Sequence, residues 1–368
     1  MAEKDFQRIP ILDYSSLKYP DKRRDFIAQL QHALLNVGFL YLSNSSIEMK
    51  VVEDLKSYIP RLFNLSKDEK DKVRMSNSPH FLGYSRLGSE LTKGKVDYRE
   101  QFDFGTPHVC QWRPGDSEYK RVWGPSQYPD EDAIPGFKDT FEAYLHQISE
   151  LATELIRLMA EALGLSPESL SKFYDTKEKM QGLCKIVQYP ISPNPSISQG
   201  VGPHYDSGFL TILLQASSHP GLQVQNLSNE WVDVPPIPGT FVVNFGRALE
   251  FVTNGLVRAT SHRVISPPMG STSPRYSVPY FHNISQDVWI NSPQSRLDFP
   301  REILELKEIR GDLTRTDSIN FSDYETDVSG DVYLNGRVKS HPDVAQKHYP
   351  ERFKKFFPEG LPAQGMAY

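Results

Sequence analysis

Apolar positions recur at two different periods along this chain, and the change of period divides it. From Lys22 to Val37, Phe26, Ile27, Leu30, Ala33, Leu34 and Val37 fall at helical spacing. Gly38 is placed to stop that helix, because glycine takes the left-handed C-terminal conformation without a Cβ clash. Ile9 to Tyr14 ahead of the helix and Phe39-Leu40-Tyr41-Leu42 behind it read as strands. A second amphipathic helix covers Ile47 to Phe63. A third opens at Ser66, where Glu69 three residues later completes a capping box. Phe81-Leu82-Gly83-Tyr84 reads as a loop, and Trp112 to Pro135 as a long irregular stretch rich in proline and aromatics. Phe137 to Leu163 carries the longest helical stripe, from Phe141 through Ile148 and Leu155 to Leu163, closed by Gly164. A stripe that wide is core, and the helix is expected to brace the outside of a barrel. A shorter helix is predicted from Ser166, with Pro167 in its first turn.

From Leu183 onward the period is two. Lys185 to Pro190, Phe209 to Gln215, Thr240 to Gly246, Arg258 to Val264 and Arg275 to Phe281 all read as strands. Gly221 to Gln225 and Glu230 to Val234 form a predicted hairpin about Ser228-Asn229. Many short strands at regular spacing predict a jelly roll or barrel. In Asp97 to Phe104 the alternation puts Tyr98, Glu100, Phe102 and Phe104 on one face and Asp97, Arg99, Gln101 and Asp103 on the other. The charges there read as solvent-facing at a strand edge, with Glu100 or Arg99 a candidate contact for a polar substrate. Near the end, Asp317 to Asp331 reads as an acidic, turn-rich mobile loop, and Val344 to Phe356 as helical.

Composition adds bounds rather than detail. The chain has 368 residues, 38% apolar and 24% charged, as an ordinary soluble globular protein has. A formal net charge of −5 gives no basic stripe for nucleic acid. No apolar run is long enough to span a membrane, and the charged start lacks a secretory core. Cys110 and Cys184 are too few for a disulfide framework and read as reduced thiols in the cytoplasm. No obligate protein partner is evident.

The chemistry concentrates in Gly202-Pro203-His204-Tyr205-Asp206-Ser207-Gly208. On an extended chain, His204 and Asp206 project to one face. His262, in a later strand, offers the third ligand. Two histidines and a carboxylate with open positions make the facial triad of non-haem Fe(II) oxygenases. A zinc hydrolase would want a nearby base of the His-Glu-x-x-His kind, and no such motif occurs. Arg275 and Ser277 share a face thirteen residues after His262, where a guanidinium fork and a hydroxyl can hold a carboxylate.

The set His204-x-Asp206, His262 and Arg275-x-Ser277 resembles the 2-oxoglutarate- and Fe(II)-dependent dioxygenases, in the branch of isopenicillin N synthase, the plant flavonoid and gibberellin oxygenases and ethylene-forming enzyme. The Val37-to-Leu42 stretch is similar to that branch too. The resemblance implies an α+β protein with a double-stranded β-helix (jelly-roll) core, a flanking N-terminal α/β segment and the long bracing helix. It implies a single oxygenase domain, 1–368: an N-terminal portion 1–175, a catalytic core 176–290, and a C-terminal segment 291–368 near the barrel mouth. It implies Fe(II) on His204, Asp206 and His262, and 2-oxoglutarate gripped by Arg275, Ser277 and Tyr189. Phe281 and Leu213 would be apolar wall; His282 could stand behind the ligands; Asn244 lies nearby with its role open. With O2 as the other cosubstrate, the implied reaction yields succinate and CO2 and oxidises a substrate C–H bond by hydroxylation, desaturation or ring closure. The expected substrate is a small molecule, amino acid-derived or a specialised metabolite. Two alternatives stay open within the resemblance: an oxidase using no 2-oxoglutarate, in which the arginine holds the substrate's own carboxylate, and breakdown of 2-oxoglutarate itself. A third, from another class, is a non-enzymatic jelly-roll binding protein.

Overall fold

A computed structural model describes residues 5–193, 199–310 and 323–361. The two periods separate as the sequence predicts: helices dominate the first half, and strands take over after residue 183. β1 (Ile11–Asp13) pairs in parallel with β2 (Phe39–Ser43), and α1 (Pro20–His32) with its π-helical extension Ala33–Val37 connects them. Gly38 ends this connection at φ 78°, its N–H donating to the Ala33 carbonyl across 2.8 Å. α2 (Met49–Phe63) and α3 (Lys67–Lys72) follow, and the Ser66 hydroxyl accepts from the Glu69 N–H at 3.2 Å.

The stretch from Phe81 departs from the loop expectation, because β3 (Gly83–Ser85) occupies part of it. Local turn signals gave way to a tertiary partner: β3 pairs with β6 (Glu100–Gly105), and a short hairpin of β4 (Leu91–Thr92) and β5 (Lys95–Val96) lies between them in the chain. α4 (Phe137–Ala162) is the long bracing helix, and its apolar stripe is buried from Phe137 to Ala162. The helix predicted from Ser166 is absent. Residues 166–173 make consecutive turns and a single 3-10 turn, Ser171–Phe173. The chain turns there instead, and the turns bury Leu170 and Phe173 in the core.

The remaining strands are β7 (Leu183–Tyr189), β8 (Gln199–His204), β9 (Leu210–Gln215), β10 (Leu222–Gln225), β11 (Trp231–Asp233), β12 (Thr240–Phe245), β13 (His262–Ile265) and β14 (Arg275–His282). They form two facing sheets. The larger runs β1-β2-β12-β9-β14-β7-β6-β3, and the smaller β11-β10-β13-β8. The predicted hairpin is β10–β11, with Asn229 in the left-handed conformation at φ 64°. Val187, Val201, Val224, Val242 and Val264 pack between the sheets. The other face of the large sheet packs on α1, α2 and α4 through Phe102, Phe104, Ile186, Ile212, Val278 and Tyr280. This is the jelly-roll core with its flanking helices.

After α5 (Arg247–Val252) and α6 (Arg301–Arg310), the C-terminal part is more ordered than its composition suggests. Of the acidic stretch expected as a loop, 317–322 lies outside the described residues. The rest contains α7 (Asp323–Thr326) and the start of α8 (Ser329–Ser340). Val332, Leu334 and Val338 of α8 are buried, and Gly330 seats the helix against the Tyr119 ring. α9 (Pro342–His348) and α10 (Pro350–Phe356) complete a helical layer.

Candidate metal centre and acid cradle

β8 ends at His204, and β13 begins at His262 in register with it, so the two imidazoles are cross-strand neighbours with ring centroids 4.2 Å apart. Asp206 follows two residues after the end of β8. Backbone bonds stitch its loop to the turn before α5: the Arg247 N–H donates to the Asp206 carbonyl at 2.8 Å, and the Gly246 N–H to the Phe209 carbonyl at 3.1 Å. Gly246 permits the approach, since a Cβ there would lie 2.2 Å from the Gly208 carbonyl oxygen. One ligand atom each from His204, Asp206 and His262 lie within 4.8 Å of one another.

The polar surroundings select which atoms face inward. The Nδ1 of His204 lies 2.9 Å from the Gly202 carbonyl, and that of His262 lies 3.2 Å from the Thr260 carbonyl. A carbonyl can only accept, so Nδ1 carries the proton and Nε2 keeps its lone pair. The Thr211 hydroxyl and the Asn244 amide both donate to Oδ2 of Asp206, at 2.6 and 2.7 Å. That leaves Oδ1 directed at the histidines, 3.9 Å from Nε2 of His204 and 3.7 Å from Nε2 of His262. Burial, with His262 beside it, pushes His204 down to about 3, which keeps its ring neutral. Burial alone would raise Asp206, but the positive charge that His262 and His204 carry when protonated, and the Thr211 and Asn244 bonds, hold it below its ordinary value. Two imidazole Nε2 atoms and a carboxylate oxygen turned to one point are the donor set that an intermediate divalent cation takes.

Further along the same cavity, Arg275 and Ser277 project inward from β14, and Tyr189 from β7 directly opposite Arg275. Arg275 is 1% exposed. Its guanidinium lies over the Tyr189 ring at 5.0 Å, and Nη2 donates to Gln215 at 3.2 Å. Its Nε and Nη1 are buried without a partner. A buried cation with idle donors fits an incoming carboxylate. Leu213 and Phe281 line the cavity as expected.

Three expectations are corrected. His282 is not behind the ligands: β14 alternates, so its ring turns to the opposite face and stacks on Tyr174 at 4.8 Å. Glu100 faces away from the cavity too, accepting from Tyr84 at 2.7 Å and Gln188 at 2.8 Å. The charges on the other face of β6 are not solvent-facing. β6 lies inside the sheet, and Asp97, Gln101 and Asp103 are buried, compensated by Arg99, Lys185 and Arg337. Of the two candidates for substrate contact, Arg99 reaches the cavity. The sequence reading missed Thr211 and passed over Lys185, although a lysine on the inward alternation of an apolar strand is a usable signal. It also missed Arg247, whose guanidinium sits 3.7 Å over the Tyr205 ring and pairs with Glu250. Among the described residues Cys110 and Cys184 are unpaired, and no helix is long and apolar enough to cross a membrane.

Comparison with known proteins agrees with this geometry. Residues 9–131 match the family described as the N-terminal part of the non-haem dioxygenases in morphine synthesis, and residues 177–284 match the 2OG-Fe(II) oxygenase superfamily. The 2-oxoglutarate-dependent dioxygenase frbJ of Dothideomycetidae sp. (strain 11243) is 40% identical, over 94% of this chain and 94% of that protein. Homoarginine-6-hydroxylase 2-ODD-C23 of Glycine max is 34% identical over 77% of this chain and 88% of its own. The crystal structure of a full-length Neurospora crassa protein in complex with alpha-KG and thymine superposes with a TM-score of 0.66 at 26% identity, covering 80% of this chain and 92% of that one. The chain belongs to the 2OG-Fe(II) oxygenase superfamily: it is a non-haem dioxygenase that uses Fe(II), 2-oxoglutarate and O2 to oxidise a small-molecule substrate.

Proposed function

We propose that His204, Asp206 and His262 are the iron ligands, and that Arg275, Ser277 and Tyr189 hold the distal carboxylate of 2-oxoglutarate. The observation that carries this is the pairing, in one cavity of about 340 Å³, of a convergent two-histidine, one-carboxylate set with a buried arginine whose donors are idle. Iron bound there, with 2-oxoglutarate and O2, supplies the oxidative decarboxylation that drives C–H oxidation. The protein's part is positioning. Thr211 and Asn244 fix the Asp206 carboxylate, and the Gly202 and Thr260 carbonyls fix the two imidazoles. Arg275 and Ser277 set the cosubstrate's far end, and Leu213 and Phe281 keep water from the reacting centre.

Residues 1–368 act as one oxygenase unit in this reading. Its location is the cytoplasm, which the unpaired cysteines suit. A small polar metabolite, amino acid-derived in the reading favoured here, is the substrate. Support comes from the relative whose name specifies homoarginine and from the neighbour crystallised with thymine.

The test combines two measurements. Anaerobic addition of Fe(II) and 2-oxoglutarate to the protein is expected to give the weak visible band of a metal–oxoacid chelate, and aerobic turnover with a metabolite panel is expected to release succinate in step with an oxidised product. A chelate band that survives in Asp206→Ala would refute the ligand assignment. Product formed without succinate would indicate the oxidase alternative.

A further inference from the structure

The cavity has a second polar region that neither the three ligands nor the Arg275 cradle uses. It lies where β6 and β7 meet α8. Lys185 projects inward from β7 four residues before Tyr189, about 13 Å of extended strand from the Arg275 end. Arg99 stands just ahead of β6. The neighbouring Tyr98 N–H donates to the Gln199 carbonyl at 3.2 Å, tying this segment to the strand that ends in His204. Arg337 enters from α8. Glu90 sits among them, 2.8 Å from Nη2 of Arg99 and 3.1 Å from Nζ of Lys185, and Asp103 lies 3.0 Å from Nη2 of Arg337.

Charge is unevenly spread across this wall. The compensating acids Asp97 and Asp103 are fully buried behind the cavity lining. On this wall Arg99, Lys185 and Arg337 line the cavity, and Glu90 is the acid that lines it with them. Glu90 is already engaged: burial would raise it, but Arg99 and Lys185 hold it well below the usual carboxylate range. It is a strut between cations rather than a free receptor for an ammonium group. The Arg99 side chain is 10% exposed, and its Nε is buried with no partner. Nε of Arg337, on a side chain 8% exposed, is equally idle. Buried guanidinium donors left unpaired are costly, and a carboxylate set against them would form charge-assisted bonds.

We propose that Arg99, flanked by Lys185 and Arg337, forms a second anion subsite that takes a carboxylate of the substrate being oxidised. The substrate class is therefore small organic acids, amino acids included. This rests on the reading of the triad and the Arg275 cradle above. It assigns the two anionic groups to opposite parts of one cavity: the cosubstrate's far carboxylate to Arg275, and the substrate's to Arg99.

The experiment uses the full chain loaded with Mn(II), a redox-silent stand-in for iron, and saturated with 2-oxoglutarate. Calorimetry is run against amino acids, aromatic acids and hydroxy acids, each paired with its own carboxamide. At least one acid is expected to bind about tenfold or more tightly than its amide. Arg99→Met is expected to erase that preference and Arg99→Lys to retain part of it, while the affinity for 2-oxoglutarate stays within about twofold in both. An acid-over-amide preference absent from every pair, or intact in Arg99→Met, overturns the proposal. If Arg99→Met does not fold, Lys185→Met takes its place, and an undiminished preference there counts equally against it. A wild-type protein that binds neither Mn(II) nor 2-oxoglutarate would instead sink the reading of the triad and cradle, so the two failures are distinct.

Discussion

Asp206 has two carboxylate oxygens in different surroundings. Oδ2 is saturated by Thr211 and Asn244, and Oδ1 faces the two imidazoles. In the proposed centre, residues that would not touch the metal thus decide which oxygen is free to bind it. Such outer partners typically matter about 10–100-fold in metal affinity, so Thr211→Val and Asn244→Ala are each expected to weaken Mn(II) binding by about that factor, whereas Asp206→Ala should abolish it. Titration of the variants with Mn(II) checks the ranking. Arg275 makes the complementary case. Removing a buried, bidentate-capable cation should cost about 1.5–3 kcal/mol of cosubstrate binding, a roughly 10–100-fold rise in the 2-oxoglutarate Kd of Arg275→Leu. Metal affinity measured in the same variant should be retained, and a joint loss of both would argue that the change disturbed the barrel.

At the scale of elements, the site depends on where strands stop. The two histidines meet because β8 ends where β13 begins, in register, and Asp206 lies in the turn just beyond. Joints between elements are therefore sensitive positions. Gly38 links α1 and its extension to β2 at positive φ, and a Cβ there would lie 2.2 Å from the Thr260 hydroxyl and 2.8 Å from the Arg258 carbonyl, close in the chain to His262. Gly38→Ala combines a left-handed backbone with a backbone clash. It is expected to destabilise the fold by more than about 1 kcal/mol in urea unfolding. The Ser66 N-cap, the long helix and the β10–β11 hairpin were legible because each is set by residues a few positions apart; the reciprocal half of the predicted capping box is not made, since the Glu69 carboxylate turns to Lys72 instead. β3, the absent helix at Ser166 and the α8 start were misread. Distant partners decide the first and the last: β6 for β3, Tyr119 and a buried apolar face for α8.

For the molecule as a whole, buried histidines set the response to acid. Burial lowers His282 to about 4 and holds His341 well below its ordinary value, and it lowers His80 and His108 as well. As pH falls below about 6.5 the unfolded chain takes up protons on these rings, while the folded one resists. Stability is thus fully present above that pH and is lost as the pH drops toward 4, by up to about 3 kcal/mol for His282 alone. The melting temperature should fall over that window, and His282→Gln should lessen the slope by up to one proton. A melting temperature that does not change between about pH 7 and 4.5 would show that these rings are not held neutral. The same burial places the charges of Arg99, Lys185 and Arg337 against the cavity, since β6 is interior and α8 lies across it.

The sequence by itself determined the jelly-roll class, the long bracing helix and the members of the candidate metal site. Period, capping and a two-residue ligand spacing are local, and local geometry follows from residue type. It also determined that Arg275 and Ser277 share a face, for the same reason. Which face that is, which oxygen of Asp206 is free, and that Glu100 turns outward while Arg99 turns in were decided by tertiary structure. Those outcomes depend on strand register and on partners as remote in sequence as Asn244 from Asp206 or Arg337 from Asp103. A chain read one residue at a time carries no record of such pairings, because they come into existence when the sheets close around the cavity.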